Sequence, residues 1–157
     1  SAHSPCAEDH LPIQGKQYSN AEFKKLNGNL ERPIGEYNCR HFVFSIVLGV
    51  NQPSYSDKML NQMNRESQKI IEYEGNKYTA YEATQVQRKL ETAIRKEKDR
   101  QIIARASGDK ESVGSAQSNI TTLTHKYNDF SKVAGLDTYK NRLAVSGYRR
   151  VSVANMK

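Results

Sequence analysis

Residues able to bind a metal or move a proton are gathered into two short segments near the start of this chain. His3, Cys6 and His10 lie in Ser1-Ala-His-Ser-Pro-Cys-Ala-Glu-Asp-His10, and Cys39 and His41 lie in Asn38-Cys-Arg-His41. Three of the four histidines and both cysteines therefore fall within the first 41 residues. Imidazole and thiolate are what a tetrahedral zinc accepts, and His3, His10, Cys39 and His41 supply four such ligands, with Cys6 a fifth candidate. Cys39 and His41 are closer together than the ligands of common zinc motifs, and on a strand their side chains would share a face. The competing reading has the histidines bonded to backbone groups in loops and Cys39 as a small buried apolar residue.

The same residues can be drawn as catalysts. Cys39 and His41, with His10 and Asp9 or Glu8 nearby, resemble a thiolate–imidazole pair, but a one-residue gap on a strand aligns nucleophile and base poorly. Three histidines with Lys16 and Arg40 could also serve a metal-free ribonuclease-type site. The sequence offers no phosphate-binding glycine loop and no carboxylate pair in a motif context. No catalytic residue is assigned.

A second set, Arg88, Lys89, Arg95, Lys96 and Arg100, forms a basic stretch with helical spacing. Such a row would neutralise phosphates without reading sequence. Glu91–Arg95 and Arg95–Asp99 also have the spacing of surface ion pairs, so a solvated helix face is the plainer reading.

The elements that position these groups follow from local signals. Ser19-Asn-Ala-Glu22 is a capping-box pattern, which predicts a short helix with Phe23 and Leu26 inward, ending at Gly28. His41 to Leu48 is almost continuously apolar and is expected to be a strand buried on both sides. Residues 56–66 suggest a helix with Met59, Leu60 and Met63 on one side. Gly75-Asn76 is expected as the two-residue turn of a hairpin. Thr79-Ala-Tyr-Glu82 is a second capping box, opening a stretch from Ala80 to Ser107 without Gly or Pro, about 40 Å as a helix. Gly108 should end it and Asp109 cap a second helix, closed by Gly135. Val113, Ala116, Ile120, Leu123, Tyr127, Phe130 and Ala134 alternate three and four apart, a seam for an antiparallel partner. The first helix answers with Ala83, Val86, Leu90, Ala93 or Ile94, and Ala104. Arg142 to Tyr148 is expected as one more strand or a docking segment.

The fold class is therefore α+β: a small sheet-containing body over 1–78 with the His/Cys cluster, a long antiparallel two-helix hairpin over 79–135, and a segment 136–157 docking back on the body. At 157 residues the chain can bury a real core. Its 36% hydrophobic content and mean hydropathy of −0.81 leave room for a partner to complete some apolar surface. No apolar run approaches the roughly 18–20 residues that cross a bilayer, and no membrane partner is expected. Two cysteines cannot make a disulfide framework. Residues 1–78 hold nine Lys/Arg against nine Asp/Glu, and 79–157 hold fifteen against eight, so the second half carries the whole net charge of +7. That asymmetry points to nucleic acid or an acidic partner at that half.

Several motifs resemble one family in chain order. His3, then His10-Leu-Pro-Ile-Gln14-Gly15-Lys16, resembles its opening signature, and Asn38-Cys39-Arg40-His41 its Asn-Cys-Arg-His element. Tyr81-Glu-Ala-Thr-Gln85, Gln87-Arg88 and Glu91-Thr-Ala-Ile-Arg95 resemble the start of its long helix, and Arg142 with Val145-Ser-Gly-Tyr-Arg149 its terminal segment. The family is phage minor capsid protein 2, of the Mu-type head morphogenesis group. Where its members have Ala-Arg-Pro between the two histidines, this chain has Cys6-Ala7-Glu8, which makes Cys6 the weaker ligand candidate. The resemblance implies a structural virion component, assembled in the host cytoplasm, acting in head morphogenesis or DNA packaging and delivery near the portal. Its implied partners are other capsid or portal proteins and packaged DNA held by non-specific backbone contacts. One structural zinc is the only cofactor expected. The chain is expected to be the C-terminal part of a longer protein. A zinc-stabilised interaction module and a toxin-type nuclease using the histidines are the alternatives.

Overall fold

The computed structural model describes residues 1–36 and 39–152. In order, its elements are α1 (Asn20–Gly28), α2 (Asp57–Ser67), β1 (Ile70–Tyr73), β2 (Asn76–Thr79), α3 (Ala80–Ala106) and α4 (Lys110–Ala134). Single 3₁₀ turns lie at Glu8–His10 and Lys140–Leu143. The chain divides into two compact units, residues 1–70 with 78–81, and residues 71–77 with 82 onward. No helix is long and apolar enough to cross a membrane.

In the first unit α1 starts as its capping box dictates. Ser19 Oγ accepts from the Glu22 amide at 3.3 Å, and Glu22 Oε2 accepts from the Ser19 amide at 2.8 Å. Phe23 and Leu26 end only half buried. Ser56 caps α2, which buries Leu60 and Ser67 and leaves Met59 exposed. The expected buried strand at 41–48 is absent. The two-stranded β1–β2 hairpin is the one sheet among the described residues, and residues 42–50 lie exposed. Apolar composition alone cannot make a central strand when no neighbour offers it a ladder.

The hairpin itself forms one residue earlier than expected. Glu74 and Gly75, both at positive φ (48° and 76°), make the turn, and Asn76 already belongs to β2. Two left-handed residues in succession match the twist of the flanking strands. Glu74 is held there by Lys126, whose ammonium donates to its carboxylate at 2.8 Å.

In the second unit α3 and α4 pack as the long helix pair. Gly108 turns the chain at φ 76°, and Asp109 caps α4 by accepting from the Ser112 amide at 3.0 Å. The seam is more polar than its apolar spacing predicts. Gln87 Nε2 donates to Ser131 Oγ at 2.9 Å, Tyr127 OH to Glu91 at 3.3 Å, and Gln101 Nε2 to Gln117 Oε1 at 2.9 Å. Each pair is equidistant in sequence from Asp109, which fixes an antiparallel register. Val86, Leu90 and Leu123 are half buried, whereas Ala83, Ile94, Tyr127 and Phe130 are fully buried. The C-terminal segment, expected as a strand or a piece returning to the body, makes its described bonds to α3 and α4. The Asp137 carbonyl accepts from Gln87, the Tyr139 amide donates to Tyr127 OH, and the Arg142 carbonyl accepts from Arg95. Farther on, Tyr148 OH and the Val151 amide both donate to Gln117 Oε1.

Candidate metal centre

The first unit brings the N-terminal stretch against residues 39–42. Ser1 forms a two-bond bridge to Phe42: its ammonium donates to the Phe42 carbonyl at 2.7 Å, and its hydroxyl accepts from the Phe42 amide at 2.8 Å. Gly15 permits the close pass beneath. It sits at φ 70°, and a Cβ there would lie 2.9 Å from Ala2 Cβ and 2.5 Å from Leu60. From α2, Ser67 Oγ accepts from the Cys6 amide at 3.1 Å, and Asn64 Oδ1 accepts from Gln14 Nε2 at 2.8 Å. The site is thus tied to a helix at both ends.

At its centre the Nδ1 atoms of His10 and His41 are 3.3 Å apart. Cys39 Sγ lies 3.4 Å from His41 Nδ1 and 4.0 Å from His10 Nδ1. The protons on both rings follow from their outer partners. His10 Nε2 is 2.7 Å from the Arg32 carbonyl, which can only accept, so Nε2 carries the hydrogen. Asn64 donates to the Leu11 carbonyl and accepts from Gln14 Nε2, which leaves Gln14 Oε1 facing His41 Nε2 at 3.1 Å. His41 Nε2 is therefore also the donor. With both Nε2 atoms donating outward, the two Nδ1 atoms face each other as acceptors beside the Cys39 sulfur, an arrangement that could hold a metal ion.

Burial is what keeps the His41 ring neutral. It drives the His41 pKa down to about 3, helped by the charges His3 and His10 would carry. It lowers His3 as well, with Arg40 adding to the effect. The Cys6 thiol is pushed up to about 12, by burial first and then by Cys39 and Asp9, so Cys6 is a thiol unless a metal displaces its proton.

Tetrahedral zinc, with bonds of about 2.0–2.1 Å to nitrogen and about 2.3 Å to sulfur, spaces its ligands roughly 3.3–3.6 Å apart. The His10–His41–Cys39 face fits that closely on two edges and is long on the third. Two groups compete for a fourth position. His3 stacks on His41 with ring centroids 4.2 Å apart, and both its ring nitrogens are buried without a hydrogen-bond partner among the described residues. Cys6 Sγ is 3.8 Å from His41 Nε2, and Cys6, His10 and His41 each offer a ligand atom within 4.8 Å of the others. The four residues singled out from sequence are thus together, and Cys6 is closer than its departure from the family pattern implied. Asn38 lies outside the described residues.

The groups invoked for catalysis are differently placed. Lys16 donates to the Pro12 carbonyl at 2.7 Å and Arg40 is exposed. His10 and His41 are 3% and 4% exposed, so the cluster is closed to solvent. On α3 the basic residues divide. Lys89, Lys96 and Arg100 are exposed, Arg100 lies 3.8 Å from Glu97, and Arg95 holds the Arg142 carbonyl at 2.7 Å. Glu91, expected to pair with Arg95, is buried and faces Tyr127 and Arg142 instead. Only the tertiary packing shows this exchange, because residue spacing along one helix carries no record of the tail.

The described residues thus form a small α+β protein with a packed helix pair and a closed His/Cys cluster. Residues 1–132 match the model of the family described as Phage minor capsid protein 2, and the chain belongs to that family. No curated protein and no solved structure matches it. Membership makes it a phage structural protein that works among other virion components.

Proposed function

We propose that this chain acts in head morphogenesis or DNA packaging and delivery near the portal, as a minor component whose first unit is held together by one structural zinc. His10, His41 and Cys39 hold the metal, and His3 completes the set. The second unit presents its positive surplus, through Lys89, Lys96 and Arg100 above all, to acidic virion surfaces or to packaged DNA backbone. The observation that carries the reading is the pair of inward-facing Nδ1 atoms in a buried cluster, within a chain that belongs to a capsid family. Zinc there stabilises the fold and supplies no reaction.

Two measurements test it. Protein purified without added metal should contain about one zinc per chain by elemental analysis. Particles assembled without the protein should be misassembled or fail to package or deliver DNA. Metal-free protein of unchanged stability, or normal infectious particles lacking the chain, would refute the respective half of the proposal.

A further inference from the structure

Every residue from Phe42 to Val50 is exposed, among them Phe44 at 69%, Val43 at 59% and Val47 at 62%. A contiguous run of large apolar side chains in water marks a contact surface, whereas scattered ones do not. Residues 39–47 pass without helix, turn or bend. The Phe42 amide is bonded to Ser1 and the Val47 amide to Asn51 Oδ1 at 2.7 Å. Among the described residues the amides of 43–46 have no hydrogen-bond partner. The amides of 43–46 are thus available to another chain.

Its sequence indicates what covers it. About Ser45 the segment is symmetric in kind: Phe44 mirrors Ile46, Val43 mirrors Val47, and Phe42 mirrors Leu48. We infer that residues 43–47 are the contact with a second copy of this chain, the two segments lying antiparallel about Ser45. In that register Phe44 faces Ile46, Val43 faces Val47, and the small Ser45 meets itself at the two-fold axis. The Ser45 amides and carbonyls pair across the axis. The Val47 amide, already bonded to Asn51, makes side-chain packing the larger part of the contact.

Charge agrees with a self-contact. Residues 42–56 contain no Asp, Glu, Lys, Arg or His, and residues 1–70 hold eight Lys/Arg against seven Asp/Glu. Two copies meeting here bring together neither like charges nor a field that would select an acidic or basic partner.

Sedimentation velocity over a concentration series should show a reversible dimer with Kd in the range of about 1–100 µM. Phe44 and Ile46 face each other across the axis, which permits a charge-exchange test. The double substitution Phe44→Lys with Ile46→Lys, and separately Phe44→Glu with Ile46→Glu, should each give monomer with native circular dichroism. Mixing the two should restore the dimer. Parent protein that stays monomeric, association that grows past the dimer, or a Lys/Lys variant that still dimerises would each overturn the inference.

Discussion

The Nδ1 atoms of His10 and His41 face each other at 3.3 Å while each ring donates outward from Nε2, to the Arg32 carbonyl and to Gln14 Oε1. In the proposed zinc site these two nitrogens are the ligand atoms. Replacing His41 by Ala should therefore abolish stoichiometric zinc, and stripping the metal with a chelator should lower the melting temperature by roughly 10 °C. That figure follows from about 4 kcal/mol of linked stability at metal concentrations near 1,000 Kd, spread over a chain of this length. Differential scanning calorimetry with and without chelator reads the shift.

Gln14 touches no candidate metal position directly, yet its buried amide fixes the His41 ring by accepting from Nε2 and donating to Asn64 at 2.8 Å. Outer partners of this sort set ligand orientation and basicity. Gln14→Leu should weaken zinc binding roughly 10–100-fold without abolishing it, as read by competition with a chromogenic chelator. An unchanged affinity would remove Gln14 from the site.

How far the sequence revealed this arrangement depends on the range of the interaction. Ser19, Asp109, Gly108 and Gly135 act within one turn of chain, and the helix limits they imply match those found. Ligand chemistry pointed to His3, His10, Cys39 and His41, whereas the group whose ligand atoms lie mutually close in the structure is Cys6, His10 and His41. The buried Gln87, Glu91 and Gln101 were missed because a seam search counts apolar residues, and a glutamine is tolerated inside only when a partner elsewhere satisfies it. The expectation for 41–48 failed for a related reason: composition reports that a segment seeks cover without saying whether that cover lies within its own chain.

Gln117 Oε1 accepts three hydrogen bonds, from Gln101 Nε2, Tyr148 OH and the Val151 amide. Gln117→Leu leaves these donors without an acceptor, at a cost of about 1–3 kcal/mol for each one that stays buried. The tail loses two of its attachments, so trypsin should cut at Arg149 and Arg150 markedly faster in the variant. Equal cleavage rates would mean the tail is held by its other contacts.

Phe130 is fully buried and meets the Tyr73 ring edge-on, centroids 5.1 Å apart, whereas Leu123 is only half buried. Phe130→Ala should cost about 3–5 kcal/mol by urea denaturation. Leu123→Ala should cost visibly less, although both positions fit the apolar spacing equally well. Equal losses would count against the packing described.

Acid should loosen the helix starts in a defined direction. The Glu22 carboxyl is held below its ordinary pKa by the Ser19 hydroxyl and then the Ser19 amide, and Asp109 by the Ser112 amide and then its hydroxyl. A carboxylate whose pKa is depressed by folding stabilises above its unfolded value, and that contribution is lost as pH falls through the folded one. Both caps should thus be intact at neutral pH and fail in acid, below about pH 4. Asparagine caps a helix nearly as well as aspartate without titrating. Asp109→Asn should therefore flatten the acid limb of the stability curve while leaving the neutral plateau in place. Urea midpoints of the two proteins, taken from pH 7 downward, should diverge in acid, the variant keeping more of its neutral stability; parallel curves would show that the Asp109 carboxylate does not titrate with folding.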